Sequence, residues 1–421
     1  MTSESPSDPA PKAAVVIGGG IIGLTTAYAL CRKGVQVTIL DEGSINQRAS
    51  SATAGIIGGS SVIPWASSKL WPQLPKLLFE RYGPMKIAAP LPKGLLGFFK
   101  RSIQAGRPDP RATSAAGLAN LGLRGWDAWQ DLLRDLPEAR ELFVQNGCLF
   151  YYATEADQAA DANGNTLRRK FGMDLTALNA RDMQAILPPL PGPVAAGVRV
   201  NSAGHVVDPI GLQDKLAIAI AAMGGTIISQ RVSDFSSHGG KIISVTAGNT
   251  RYDADTFVLC AGSASAELAA KLGGIRIPLI PAWGASVTFT KAAVDLKTPF
   301  LVLSDGIAVT PSTAGLRVSG LLQVGGAGKT KAMITTLIDQ TKRLFGDFEY
   351  TDIVTYAGPR PLSPDSLAFL GQDPKHNNLY HNFGHGHWGL TQAAISAQVT
   401  VDLIHEQTPK IDISAYKPDR Y

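Results

Sequence analysis

Residues 13–42 read AAVVIGGGIIGLTTAYALCRKGVQVTILDE, and the fold follows from how that run divides. Ala13 to Ile17 is a short run rich in β-branched residues, and Gly18-x-Gly20-x-x-Gly23 follows at once. Ile22 to Lys33 then carries an apolar helical period up to Gly34, and Val35 to Leu40 alternates as a second strand that ends at Asp41-Glu42. The uncharged stretch from Ala13 to Leu30 approaches the length of a membrane span, but Gly18, Gly19, Gly20 and Gly23 would break such a helix near its middle. Strand, turn, helix, strand and acid is the order of a dinucleotide-binding unit. Gly18 permits the tight turn, Gly20 lets a pyrophosphate approach the backbone, and Gly23 lets helix and strand pack closely. Ile21 and Ile22 open the helix, whose N-terminal N–H groups face the phosphates. Asp41 and Glu42, about 20 residues beyond the glycines, suit ribose hydroxyls. These features serve NAD and FAD alike.

Around this unit the chain has 421 residues, 45% of them hydrophobic and 17% charged, enough for a sizeable core. That length predicts about two or three domains. The formal surplus of +5 is too dilute for a dedicated nucleic-acid binder, and 44 glycines exceed the usual share. The opening MTSESPSDPAPK has no basic region ahead of an apolar core, so it does not resemble a secretory signal and reads as a flexible tail, residues 1–12. Cys31, Cys148 and Cys260 stand far apart without a CxxC, which argues against a disulfide framework and a cysteine zinc site. The cytoplasm is the default expectation.

The segment after the fingerprint selects the cofactor. Arg48-Ala-Ser-Ser-Ala-Thr-Ala-Gly-Ile-Ile57, then Gly58-Gly59 and Pro64-Trp65-Ala66, resembles the second FAD-contacting loop of the D-amino-acid oxidase and dehydrogenase superfamily. The resemblance implies that Ser50, Ser51, Thr53, Ala54, Gly55 and Ile56 offer hydroxyls and bare backbone to phosphates and flavin. GHVVDP at 204–209 is similar to the family's entry into its next βαβ segment, and ADTFVLCAG at 254–262, with Ala261 and Gly262, to the strand and turn returning under the cofactor. Arg231-Val232 fits the place where a strand touches adenine, and Ile277 to Pro281 resembles the crossing into the substrate domain. YAGPRPLSPD at 356–365, containing Gly358, and NFGHGHWGLT at 382–391 are similar to the family's G-x-R-P-x-[ST]-P-D and G-H-G-x-x-G-[WL]-T patterns. These matches span residues 13 to about 405. They imply an FAD-dependent amine oxidoreductase most similar to bacterial D-amino-acid dehydrogenases, with noncovalent FAD because no cysteine lies in the 356–365 motif. Trp283 stands where many relatives have Lys or Arg, and Leu321-Leu322-Gln323 replaces a common Thr-Ala-Glu; both departures lie near the implied substrate side.

The implied fold is α/β: a Rossmann-like FAD-binding domain (13–80, 196–275 and 352–410) and a discontinuous α+β substrate domain on an antiparallel sheet (81–195 and 276–351). The implied reaction moves a hydride equivalent from Cα of an amino acid to flavin N5. The imine then hydrolyses to a 2-oxo acid and ammonia, and the electrons pass to a quinone or another acceptor. Alignment is then the protein's main task. Arg360 is the candidate grip on the carboxylate, its alternative being an ion pair with Asp365. Arg317, also readable as a surface arginine at a strand end, is a second candidate. Tyr151 and Tyr152 sit on an expected strand, one face of which lines either a substrate pocket or ordinary core. Charge gathered on the reduced flavin calls for donors from Gly384, His385, Gly386, His387, Trp388, Gly389, Leu390 and Thr391, ahead of an expected helix from Thr391 to Glu406. His381, His385 and His387 are not read as a metal cluster, since no acid completes a shell. His205 and His238 read as loop residues. LLFERYG at 77–83 and then LLGFFKRS at 95–102 join apolar runs to basic residues, so the region reads either as membrane-surface contact or as a buried helix with a basic cap. Alternatives left open are an oxidase, a dehydrogenase of a secondary amine or imino acid, a noncatalytic flavoprotein subunit, and a nicotinamide dehydrogenase.

Overall fold

The structure, a computed structural model, describes residues 11–43, 48–58, 62–66, 83–273 and 275–421. The tail to residue 10 and the LLFERY run at 77–82 lie outside the described residues.

Ala13–Ile17 has no charged residue and its last four positions are buried, which suits the middle of a parallel sheet covered on both faces. It lies between Gln36–Leu40 and Thr256–Leu259, in a six-stranded sheet ordered Thr226–Ile228, Gln36–Leu40, Ala13–Ile17, Thr256–Leu259, Leu379–Phe383, Phe369–Gln372. Only the last pairing is antiparallel. The helix Ile21–Cys31 is buried at every position but Ile22. The Gly389–Ile404 helix packs beside it, and the Thr25 hydroxyl reaches the Ala393 carbonyl at 3.3 Å. The other face is covered by a three-stranded antiparallel sheet, Val232–His238, Lys241–Ala247 and Thr250–Asp253.

The second sheet has nine strands and is mostly antiparallel. Its path runs Asp352–Leu362, Ile280–Thr290, Gly315–Gly325, Ile307–Ser312, Phe300–Val302, Cys148–Tyr152, Ala196–Val200, Leu175–Asn179, with Met85–Ala88 beside Gly315–Gly325. The helix Lys331–Phe345 covers it with Met333, Leu337 and Phe345. The expected class, a Rossmann-like unit joined to an antiparallel sheet, is therefore present.

The expected split of the chain differs in detail. Ala196–Val200 and Asp352–Leu362 belong to the nine-stranded sheet, while the helices Pro108–Gly122 and Gly125–Leu132 pack into the core of the parallel unit. Leu118, Leu121 and Trp129 need an apolar partner, and the Trp129 indole N–H donates to the Leu390 carbonyl at 2.8 Å. The late helix starts at Gly389, two residues ahead of expectation. His205, read as a loop residue, is buried in the strand Gly204–Val206, and burial lowers its pKa to about 4.

Candidate active site

A cavity of about 690 Å³ runs from the C-terminal ends of the parallel strands, at Ile17, Leu40 and Cys260, to the nine-stranded sheet. At the parallel end the glycines do what their spacing requires. Gly18 has φ +109°, and a Cβ on Gly23 would stand 1.8 Å from the Gly18 carbonyl oxygen, so helix and strand touch through bare backbone. The helix opens at Gly20 without a side-chain cap and with no acid in its first turn. The Ile21 N–H donates to Ser50 Oγ at 2.9 Å, which ties the second loop to the first.

Gly18, Gly20, Ile21, Ile22, Asp41 and Glu42 line the cavity, as do Ser50, Thr53, Ala54 and Ile56. Val232, Ala261 and Gly262 line it too, with Gly384, His385, Gly386, His387, Trp388, Gly389, Leu390 and Thr391. Four expected residues do not reach it, and three of these support it. Gly23 sits behind the turn; Gly55, at φ +83°, lets the loop pass the Val206 carbonyl; Gly358 lets Asp352–Leu362 press on the backbone of Arg48 and Ala49. Ser51 is fully buried and its side-chain oxygen has no partner among the described residues. The Gly58 N–H donates to Thr391 Oγ1 at 3.3 Å, joining the second loop to the late helix.

Of the three expected catalytic residues, only Arg360 lines the cavity. Its guanidinium lies over Gly284, where a Cβ would stand 2.2 Å from Cζ, and Nη1 donates to the Leu321 carbonyl at 2.7 Å. The ion pair with Asp365 does not form, because Asp365 is taken by Arg420 at 2.8 Å. Among the described residues Arg360 faces no carboxylate. Burial lowers its pKa to about 10, which leaves it charged at neutral pH. Leu321 is held at φ +54°, a left-handed geometry that costs a non-glycine residue roughly 1–3 kcal/mol.

Arg317 and Tyr151, the other two expected catalytic residues, do not line the cavity. Arg317 is 4% exposed and off the cavity; Nε donates to the Thr53 carbonyl at 2.8 Å, and Nη2 to the Ser51 carbonyl and to Ser286 Oγ. It braces the second loop against the nine-stranded sheet. The Tyr151 hydroxyl donates to the Pro193 carbonyl at 2.5 Å and its ring packs against Phe300, so this face of the strand is core. Trp283 likewise stays off the cavity, packed against Gly328, whereas Leu321 and Leu322 line it.

Arg48, which opens the second loop and had no expected role of its own, pairs with Asp41 and donates to the Gly43 carbonyl at 3.1 Å. A base seven positions after the acid was the available signal. The apolar wall of Met85, Leu301, Leu303, Ile307 and Ala308 carried no signal in the sequence, since only the sheet register brings these residues together. Cys260 lies on the wall, its thiol pushed up to about 12 by burial. His381, by contrast, is drawn away from the turn, with Nε2 2.8 Å from Asp373.

A family model described as DAO, FAD dependent oxidoreductase, matches residues 13–403. The chain is 27% identical over 425 residues to a D-amino-acid oxidase of Bradyrhizobium diazoefficiens, covering 96% of this chain and 98% of that one. It is 28% identical over 421 residues to a D-amino acid dehydrogenase of Cereibacter sphaeroides, covering 97% and 95%. Among solved structures, glycine oxidase from Geobacillus kaustophilus superposes with a TM-score of 0.76 over 98% of this chain and 99% of that one, at 21% identity.

FAD fits the residues present. Two helix N-termini without acid in their first turns open on one cavity, at Gly20 and at Trp388. An elongated anion with a polar ring edge matches such donors. His385 is 2% exposed with neither ring nitrogen partnered among the described residues, and burial lowers its pKa to about 3. A buried neutral imidazole on a cavity wall calls for a polar partner in that cavity.

Proposed function

The chain belongs to the DAO family of FAD dependent oxidoreductases, and from that premise we propose that it oxidises a D-amino acid whose carboxylate is held by Arg360. Bound FAD supplies the two-electron acceptance that side chains lack. Gly20, Ile21 and Ile22 would hold the pyrophosphate, Asp41 and Glu42 the ribose, and the Gly384–Thr391 turn the electron-rich ring edge. Arg360 fixes Cα by binding the carboxylate through a planar fork, and the low polarity of Leu321, Leu322 and Ile307 keeps that contact strong. The substrate loses its Cα hydrogen with two electrons and one N–H proton. The resulting imino acid takes up water, giving a 2-oxo acid and ammonia.

The observation that carries this reading is a charged arginine with no carboxylate partner among the described residues, on the wall of the same cavity as the dinucleotide fingerprint. The names of the two relatives support an amino-acid substrate of D configuration. Anaerobic mixing of the FAD-loaded protein with D-, L- and imino acids should bleach the flavin with D-amino acids fastest. Bleaching by imino acids alone would replace this reading with secondary-amine oxidation, and no bleaching by any of them would remove it.

We further propose that electrons leave to a quinone-type acceptor at a membrane surface. No described helix is long and apolar enough to cross a membrane. Peripheral contact is supported by the helix Leu95–Ala105, where Leu96 is 87% and Ile103 49% exposed beside Lys100. Re-oxidation of the bleached protein by a soluble quinone should outpace re-oxidation by air.

A further inference from the structure

The Gly384–Thr391 turn carries two imidazoles in opposite surroundings. Both line the cavity, but His385 is buried, whereas His387 keeps accessible surface within the cavity, edge-on to Trp388, with no hydrogen bond to a described residue. The Gly386 N–H donates to the Pro361 carbonyl at 3.2 Å, so the residue before His387 is tied to the residue after Arg360. The two side chains therefore leave adjoining points of one wall. Enclosure by the cavity walls, then the charge of Arg360, lowers the His387 pKa to about 3, so the ring is neutral at neutral pH.

An α-amino acid carries its carboxylate and amino group on one carbon. A carboxylate drawn to Arg360 brings donor N–H groups to the same part of the wall, and those groups need an acceptor. Leu303, Ile307, Leu321 and Leu322, which line the cavity nearby, have no side-chain acceptor. A neutral imidazole keeps one nitrogen free to accept, whichever tautomer it adopts. We propose that His387 is a second point of recognition: one ring nitrogen accepts a hydrogen bond from the substrate's amino group while Arg360 holds the carboxylate. This rests on the amino-acid reading above and extends it from a one-point to a two-point grip.

The test uses two ligands that differ by the amino group alone and carry no oxidisable Cα–H, 2-aminobenzoate and benzoate, titrated into the FAD-loaded full-length protein by calorimetry. The wild type should prefer 2-aminobenzoate by roughly three- to tenfold, the range of one net hydrogen bond. His387→Ala should abolish that preference and leave benzoate affinity within about twofold, because benzoate uses Arg360. His387→Gln, with a side-chain carbonyl, should restore it. An alanine variant that keeps the preference, or that weakens both ligands equally, overturns the proposal. Should amino acids bleach the wild-type flavin while the amine probe gains nothing over benzoate, the proposal alone falls. Should neither probe bind and no amino acid bleach the flavin, the amino-acid reading falls and takes it along.

Discussion

Arg360 and Gly23 show how much rests on single positions. Replacing Arg360 by Met removes the charge but leaves an apolar chain of similar length over Gly284. Substrate affinity should then weaken by about 2–5 kcal/mol, as when one partner of a buried charge pair is truncated. FAD should be retained, since Arg360 lies beyond the fingerprint; the dependence of bleaching rate on substrate concentration reads this directly. Gly23→Ala should do the reverse. Its Cβ has no room 1.8 Å from a backbone oxygen, so turn and helix must separate. A cost of about 3 kcal/mol and loss of bound flavin are expected, measured as the ratio of visible to ultraviolet absorbance after desalting.

At the scale of elements, the strand pair Phe369–Gln372 and Leu379–Phe383 is joined by a buried Asp373, which meets His381 at 2.8 Å and His376 at 3.1 Å. Burial pushes the Asp373 carboxyl up, but the His381 bond, the Lys375 N–H and the His376 bond outweigh it and leave the pKa at about 2, below the ordinary 3.8. Folding depresses this pKa, so the stability it brings is present above about pH 4 and lost as the pH falls through 2. Acid unfolding of Asp373→Asn should lack up to about 2 kcal/mol of that pH dependence. On the outer surface, Leu96→Asp should weaken co-sedimentation with anionic vesicles by about tenfold without changing flavin bleaching, because burial of one leucine is worth about 1.5–3 kcal/mol and its side chain lies far out on an exposed helix face. Equal sedimentation of both proteins would exclude this face as the contact.

For the whole molecule, the cavity runs from the parallel sheet to the nine-stranded one, and Arg317 ties the loop at 51–53, whose Thr53 lines that cavity, to the second of these sheets. Its donors serve the carbonyls of Ser51 and Thr53 on one side and the hydroxyls of Ser286 and Thr288 on the other. Burial lowers its pKa to about 10, so it is a buried cation satisfied mainly by neutral acceptors. Arg317→Met should cost about 3–5 kcal/mol and shift the denaturation midpoint, because several buried acceptors lose their partner together. An unchanged midpoint with lost activity would return Arg317 to the catalytic list.

The amino-acid order alone determined the parallel unit, its glycine turn and the acids at the end of the second strand, because each depends on local backbone geometry and on spacing within about 30 residues. The late Gly/His turn was legible for the same reason: its glycines and the helix after it are local. Only the tertiary structure separated Arg360 from Arg317. Both are arginines on long antiparallel strands, and which one faces the cavity depends on pleat and register against Ile280–Thr290, which pairs with both. The same holds for Tyr151, turned into core by its partner strands, and for the apolar wall, assembled from segments more than 200 residues apart. Side chains alternate along a strand, so a one-residue change of register exchanges wall for core, and register is set by the whole sheet rather than by any one strand.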